Sequence, residues 1–266
     1  MISSLANARI KQVVQWQTKA KERQKDRVFV AEGLKMYLEA PETHIREVYV
    51  STEFLERLRR QTDDAAVDKL SQTGYEEVTG DVFAKLSDTR TPQGILAVVE
   101  QPRYELNQLL QQENPLFLLL ENLQDPGNLG TIVRTGEGAG ITAVIMNAST
   151  VDIFNPKVIR STMGSVYRVP FLYEDNLLDT VKRLHDAGVK TYAAHLQGET
   201  YYDSFCFQGP TAFLIGNEAN GLSRELTDQA SARLKIPMEG RVESLNAGVA
   251  AALLMYEAHR QRNNGK

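Results

Sequence analysis

Three stretches gather side chains that can hold or polarise a ligand into loops containing glycine. The first, D-P-G-N-L-G-T-I-V-R-T-G-E-G-A-G from Asp125 to Gly140, carries Asn128 and Arg134. The second, L-I-G-N-E-A-N-G-L-S from Leu214 to Ser223, carries Glu218 and Asn220 behind Gly216, where the missing side chain lets a ligand ring lie against the backbone. The third, I-P-M-E-G-R-V-E-S-L-N-A-G from Ile236 to Gly248, sets Glu243, Ser244 and Asn246 between a glycine turn and a long alanine-rich helix. Amides, carboxylates, a hydroxyl and a guanidinium can hold and orient a polar substrate by hydrogen bonds. Metal chemistry lacks its residues. Cys206 is the single cysteine, and His44, His185, His195 and His259 show no ligand spacing, so no metal is expected.

Each stretch also has a plain structural reading. In the first, Asn128 caps a helix whose buried side is Leu129, Ile132, Val133 and Gly136. Arg134, with Thr131 and Gly138, then points the other way, at the carboxyl ends of the strands where open α/β sheets bind ligands. Glycines within a helix cost about 1 kcal/mol each relative to alanine, so Gly136 and Gly138 serve close packing or close ligand approach. The second stretch is an acidic turn after a strand. The third is a buried helix with Ser244 as its N-cap, a stripe of Leu245, Val249, Leu253 and Tyr256, and a narrow second face at Gly248 and Ala252. What distinguishes them together is that Gly216, Ile236 and Leu245 all sit in loops or strand ends able to converge on one pocket. G-E-G-A-G late in the first helix is not the G-x-G-x-x-G of a dinucleotide site, which disfavours a nicotinamide-dependent oxidoreductase.

The elements that position these loops alternate between strand and helix. Leu116 to Leu120 reads as a buried strand, with further strands at Ala143 to Met146, Val189 to Ala194, Thr211 to Ile215 and Leu234 to Ile236. This predicts a mostly parallel sheet covered by helices on both faces, from residue 116 to 266. Upstream, Ile10, Val13, Val14 and Trp16 mark an amphipathic helix that turns very polar from Lys19 to Arg27. Strands at Val28 to Gly33, Val48 to Ser51 and Gly94 to Glu100 alternate with helices to Ala40 and at Phe54 to Gln61 and Ala65 to Gln72, giving a small α/β domain over residues 1–100. The polar stretch from Gln101 to Pro115 reads as a linker.

At 42% hydrophobic, 266 residues can bury real cores. The longest apolar run, Ala247 to Tyr256, is far too short for a membrane span, so a soluble cytoplasmic protein is expected. Charge does not single out either half, with 15 basic against 16 acidic residues through Glu100 and 15 against 18 beyond it. Locally, Arg9 to Lys35 holds eight basic residues against three acidic ones, which is either a nucleic-acid footprint or a solvated face. Lys157, Arg160 and Arg168, between the first two stretches, carry the same two readings.

Taken in order and at their spacing, the three stretches closely resemble the motifs of the SpoU/TrmH branch of the SPOUT RNA methyltransferases. The resemblance covers the whole second domain. Val28 to Gly33 and Thr91 to Val99 are similar, over shorter lengths, to the RNA substrate-binding domain that precedes it in many relatives. Gly136 and Gly138 stand where alanines are usual, and Ala247-Gly248 where a bulkier pair is.

The resemblance implies an α/β domain threaded into a deep trefoil knot, preceded by a small α/β RNA-binding domain. It implies S-adenosylmethionine as methyl donor, held at positions matching Gly216, Ile236 and Leu245, with Leu214 and Asn246 beside them. It gives Arg134 a part in activating a ribose 2′-hydroxyl, Asn128 a supporting part, and Glu218, Ser244 and Asn246 the rest of the catalytic site. It further implies a homodimer joined through the last helix and the first motif. Because guanidinium is always protonated, Arg134 suits a phosphate beside the ribose better than it suits proton abstraction. Ribosomal RNA, 23S above all, is expected ahead of tRNA, because the appended domain resembles that of rRNA-modifying relatives. A tRNA 2′-O-methyltransferase and an inactive RNA-binding or ribosome-assembly factor are the alternatives.

Overall fold

Asn7 and Asn176 each accept hydrogen bonds from backbone amides of a following helix, and residues of this kind punctuate the chain throughout. The computed structural model describes residues 1–61, 64–198, 200–241 and 244–263. In order, it contains α1 (Ala8–Thr18), α2 (Ala20–Asp26), β1 (Val28–Glu32), α3 (Leu34–Glu39), β2 (Ile45–Ser51), α4 (Thr52–Gln61), α5 (Asp64–Thr73), β3 (Glu76–Val78), α6 (Gly80–Leu86) and β4 (Ile95–Glu100). There follow α7 (Leu106–Leu109), β5 (Leu116–Leu120), α8 (Pro126–Ala139), β6 (Ala143–Asn147), α9 (Pro156–Thr162), β7 (Phe171–Glu174), α10 (Leu177–Asp186) and β8 (Lys190–Ala194). The last elements are β9 (Thr200–Tyr201), β10 (Thr211–Ile215), α11 (Arg224–Gln229), β11 (Ala232–Lys235) and α12 (Ala247–Asn263).

Two compact units result, Met1–Arg103 with Asp152–Tyr167, and Tyr104–Val151 with Arg168–Lys266. The first has a mixed sheet in the order β1-β4-β2-β3, in which only β2 and β3 run parallel. Ile10, Val13 and Trp16 of α1 pack with Val28, Val30, Val82, Phe83 and Val98 into one core. Phe29, alternating to the other face of β1, stacks on Phe154 at 4.8 Å between ring centroids. Residues 152–167 thus complete this unit, a role nothing in their composition announces. Arg160 donates to Asp88 at 2.9 Å, and the Tyr167 hydroxyl donates to the Met36 carbonyl at 3.1 Å.

The basic run separates into two kinds of residue. Arg23 is only 4% exposed, donating to the carbonyls of Trp16 and Gln17 and pairing with Asp152 at 2.5 Å. Arg9 pairs with Glu76 and Lys35 with Glu39. Lys11, Lys19, Lys21, Lys25 and Arg27 remain exposed to solvent.

The second unit is a seven-stranded sheet in the order β7-β6-β5-β10-β8-β11-β9, every pairing parallel. β5 and β10 lie inside it and are buried at all five positions, which is why they read as unbroken apolar runs. The expected linker is different here. Leu106 and Leu109 of α7 are 3% and 6% exposed, packed into the core with Phe117, Leu119 and Leu214. A Gln- and Asn-rich context hid two leucines at helical spacing, and the division between the units falls at Arg103 and Tyr104. Among the described residues, no helix is long and apolar enough to cross a membrane.

Candidate active site

The first motif enters α8 directly from β5 through a short loop. Its N-cap is Asp125, whose carboxylate accepts from the Asn128 amide at 2.7 Å. Asn128 therefore sits inside the first turn and does not cap it, which leaves its side chain free for another task. The third motif shows the same kind of shift. α12 begins at Ala247 with Asn246 as the capping side chain, accepting from the Val249 amide at 3.2 Å; Ser244 lies before the cap. Glu243 lies outside the described residues.

These placements bring the three motifs together through side chains. Asn128, 8% exposed, donates from Nδ2 to Glu218 Oε1 at 2.9 Å, and its Oδ1 accepts from Asn246 Nδ2 at 2.8 Å. Both ends of one amide are thus used, and its orientation is fixed by a carboxylate on one side and an amide donor on the other. Glu218 also accepts from the backbone amides of Gln124 and Asp125, each at 3.4 Å, at the N-terminus of α8. Partial burial works to raise the Glu218 pKa, but the Asn128 and backbone hydrogen bonds outweigh it and hold the carboxyl below its ordinary value. Glu218 is thereby an ionised acceptor that positions Asn128.

Beside this chain of hydrogen bonds lies a cavity of about 640 Å³ at the carboxyl ends of β8, β10 and β11. Gly216, Glu218, Ile236, Ser244 and Leu245 line it, so residues from strand ends far apart in sequence share one wall. Two expected cofactor positions do not. Leu214 is packed into the core with Phe117, Leu119 and Leu222, and Asn246 turns toward Asn128. Gly216 has a structural reason of its own. A Cβ there would overlap the backbone of Gly221 and Leu222, so glycine is what lets the Asn217–Gly221 turn fold back over the strand end.

Arg134 stands apart. It is exposed on α8, six residues and so about 9 Å along the axis from Asn128, and it does not line the cavity. Its expected location at the carboxyl ends of the strands is corrected to mid-helix. Among the described residues its guanidinium has no hydrogen bond or ion pair. Arg168, by contrast, pairs with Glu137.

Gly136 and Gly138 serve helix packing. A Cβ at Gly136 would run into Ile141 and touch Met255 of α12, and one at Gly138 would crowd the Tyr256 hydroxyl. Gly248 faces Thr131 and Asn128 of α8 with room for a Cβ, whose tightest neighbour would be the Asn246 side-chain oxygen. The packed face of α12 is Ala247, Gly248, Ala251, Leu254, Met255 and Ala258. The stripe read from the sequence as buried is the open one, with Val249, Leu253 and Tyr256 exposed by 48%, 38% and 49%. They line a shallow groove of about 490 Å³ with Thr131 and Ala252.

Sequence reasoning passed over His195, Asn217 and Met238, all of which line the larger cavity. Their signal was position: each lies just beyond the end of a parallel strand. It passed over Asn122 and Asn147 too, whose side chains and backbone exchange hydrogen bonds of 3.0 and 2.8 Å beside the first motif. Among the described residues, no group of three or more His, Cys, Asp or Glu side chains is placed to hold a metal ion.

The α/β fold, with its N-terminal domain, matches SPOUT methyltransferase structures. Residues 115–256 match the SpoU rRNA Methylase family and residues 7–97 the MRM3-like substrate binding domain. The chain belongs to the SpoU rRNA methylase family. It is 34% identical over 259 residues to the 23S rRNA (guanosine(2553)-2'-O)-methyltransferase RlmP of Bacillus subtilis (strain 168), covering 96% of this chain and 97% of that protein. The AdoMet-bound rRNA methyltransferase from Sinorhizobium meliloti matches with a TM-score of 0.85 and 32% identity over 97% of both chains. The SpoU methyltransferase AviRb from Streptomyces viridochromogenes, in complex with AdoMet, matches with a TM-score of 0.84 and 28% identity over 98% of this chain and 100% of that one.

Proposed function

We propose that this chain is an S-adenosylmethionine-dependent methyltransferase that methylates a ribose 2′-hydroxyl of RNA, with 23S rRNA as its substrate and the cytoplasm as its place of work. The observation that carries the reading is the cavity lined by Gly216, Ile236 and Leu245, flanked by the Glu218–Asn128–Asn246 hydrogen bonds. The likeness to an rRNA 2′-O-methyltransferase along almost the whole chain supports it, and so does the likeness to AdoMet-bound structures.

The donor set fits the cofactor. A volume of about 640 Å³ lies within the roughly 300–1,000 Å³ of small-molecule sites, and apolar Ile215, Leu234, Ile236 and Leu245 share its lining with polar Asn217 and Asn220. Bound S-adenosylmethionine would supply an electrophilic methyl group on a sulfonium; as the ribose O–C bond forms, the C–S bond breaks to leave the thioether S-adenosylhomocysteine, and the hydroxyl proton passes to solvent water. Gly216, Ile236 and Leu245 hold the cofactor, and Ser244 lies at the same wall. Asn128, locked by Glu218, fixes Asn246 and with it the turn carrying Ser244 and Leu245. Arg134 aligns the phosphate beside the target ribose and stabilises the developing alkoxide, because a planar, permanently charged donor fork suits oxyanions. The N-terminal unit binds the RNA, with the exposed Lys11, Lys19, Lys21, Lys25 and Arg27 as phosphate contacts.

The reading includes a homodimer, in which a second copy covers Val249, Leu253 and Tyr256 of α12. An exposed apolar stripe with that spacing supports it. Thr131 lies in the same groove, and Arg134 is one helical turn further along the same face of α8. The reading also includes a trefoil knot in the C-terminal part of the sheet, for which the sequence motifs and the likeness to SpoU methyltransferase structures are the support.

Methyl-labelled S-adenosylmethionine, 23S rRNA and the protein test the reaction. A ribose 2′-O-methyl blocks alkaline cleavage of the adjacent phosphodiester, so label is expected in alkali-resistant dinucleotides. Label recovered only in mononucleotides would place the methyl on a base and overturn the proposal.

A further inference from the structure

A second cavity, of about 420 Å³, opens among the loops after β5, β6 and β10 and is lined by Asn122, Gln124, Ser149, Asn217, Asn220 and Ser223, with Gly221 and Leu222 beside them. It shares Asn217, Asn220, Gly221 and Leu222 with the cavity assigned to the cofactor. We propose that this second cavity receives the nucleobase of the nucleotide being methylated, an assignment that rests on the RNA 2′-O-methyltransferase reading above.

The first reason is position. A ribose oxygen that takes the methyl group must reach the mouth of the cofactor cavity, so the base on that ribose falls in space adjoining it. The 217–222 turn, as the common wall, has one ligand on each side.

The second reason is chemistry. None of the described residues lining the cavity is charged. A phosphate would call for arginine or lysine, whereas amides and hydroxyls match the mixed donors and acceptors along the edge of an unpaired base. The amides divide into scaffold and free groups. Asn122, a non-glycine residue at φ +57°, is held by Asn147, and its carbonyl accepts from Asn217 Nδ2 at 2.8 Å and from Gln124 Nε2 at 3.2 Å. Asn217 Oδ1 in turn accepts from the amides of Ala219 and Asn220. Among the described residues, the Asn220 side-chain amide, the Ser149 hydroxyl and Gln124 Oε1 have no hydrogen-bond partner. A rigid frame therefore leaves two donors from Asn220, an acceptor from Asn220, another from Gln124, and a hydroxyl able to act either way. That set can tell one base edge from another. A size of about 420 Å³ admits a purine or a pyrimidine with bridging water.

The test compares base discrimination, with the full-length protein throughout. Once the wild-type protein's labelled nucleotide is located, RNA fragments carrying the natural base or a replacement at that nucleotide are methylated by wild type, Ser149→Ala and Asn220→Ala. Wild type is expected to lose about tenfold to a hundredfold in kcat/KM on the replaced base. In the variants that penalty should shrink to about threefold or less, as expected when the discriminating contact is gone. Ser149 borders this cavity and not the cofactor's, so S-adenosylmethionine affinity of Ser149→Ala, measured by calorimetry, should stay within about twofold and certify the fold. Full discrimination retained by both variants overturns the assignment while leaving the methyltransferase reading intact. Wild type showing no preference among bases overturns it as well. Wild type methylating no RNA at all removes the parent reading and this assignment together.

Discussion

Replacing Asn128 by alanine is the perturbation whose consequence can be worked most directly from geometry. The change removes one hydrogen bond to a carboxylate, at 2.9 Å, and one between amides, at 2.8 Å. Bonds to charged groups are worth about 1.5–3 kcal/mol net and neutral ones about 0.5–1.5 kcal/mol. Glu218 and Asn246 are exposed, so water replaces much of what each loses, and about 1–2 kcal/mol remains. Asn246 begins α12 and is continuous with Ser244 and Leu245, which line the cofactor cavity. The loss should therefore appear as a weakening of S-adenosylmethionine binding by roughly 5- to 30-fold in calorimetric titration. Asn128→Asp sharpens the expectation. It sets a second carboxylate against Glu218, and two such groups cannot both stay ionised without cost. Their shared proton is taken up more readily as pH falls, so this variant should bind more weakly than Asn128→Ala at about pH 8 and close the gap by about pH 5.5. Binding by Asn128→Ala within twofold of wild type, or identical pH profiles for the two variants, would refute the positioning role.

Other perturbations address the remaining parts. Arg134→Ala should slow methyl transfer by about 10²–10³ while leaving cofactor affinity within twofold, since Arg134 does not line the cavity; an unchanged rate, measured at saturating RNA, would remove it from the chemistry. Leu253→Glu should convert a species of twice the 29.8 kDa chain mass into one of that mass in sedimentation, because the charge lands in the middle of the open apolar stripe. A wild-type protein that sediments at the single-chain mass would contradict the dimer. Glu218 predicts an acid limb. Its folded carboxyl is held below the ordinary 4.5, so the stability it contributes is complete above that value and is lost as pH falls through the lower folded one. Melting temperatures from about pH 6 down to pH 3 should fall further for wild type than for Glu218→Gln. Parallel curves would refute this.

What the sequence revealed follows the physics of burial. β5 and β10 are flanked by strands on both sides and covered on both faces, so L-F-L-L-L and T-A-F-L-I announce themselves. β7 and β9 are the two edges of the same sheet, with Tyr173 and Tyr201 exposed, and their mixed composition carried no such signal. β3 is also short, with only Val78 buried, and exists through its pairing with β2. Helix α10 had a legible signature in Asn176 followed by Leu177, Val181 and Leu184, which the sequence expectation omitted. For α12 the difficulty was of another kind, because both faces are apolar. Periodicity found the stripe Val249, Leu253 and Tyr256 but could not tell a face packed on α8 from one left open.

The polar site divides along similar lines. Residue types marked Asn128, Glu218 and Asn246, yet their mutual hydrogen bonds span 90 and 118 positions in the chain and arise only from the fold. Gly216 was read as space for a ligand; it lines the cavity, and the turn at Gly221 and Leu222 also occupies the place a Cβ would take. Leu214, carried over with the motif, has its side chain packed in the core and does not line the cavity.

The central claim is that this chain transfers a methyl group to a ribose oxygen of RNA, and nucleoside mass spectrometry tests it most directly. Ribosomal and transfer RNA are incubated separately with the protein and isotopically labelled S-adenosylmethionine, then digested to nucleosides. The account predicts label in a single 2′-O-methyl nucleoside from 23S rRNA. Label confined to base-methylated nucleosides, or absent from both RNAs, would contradict it.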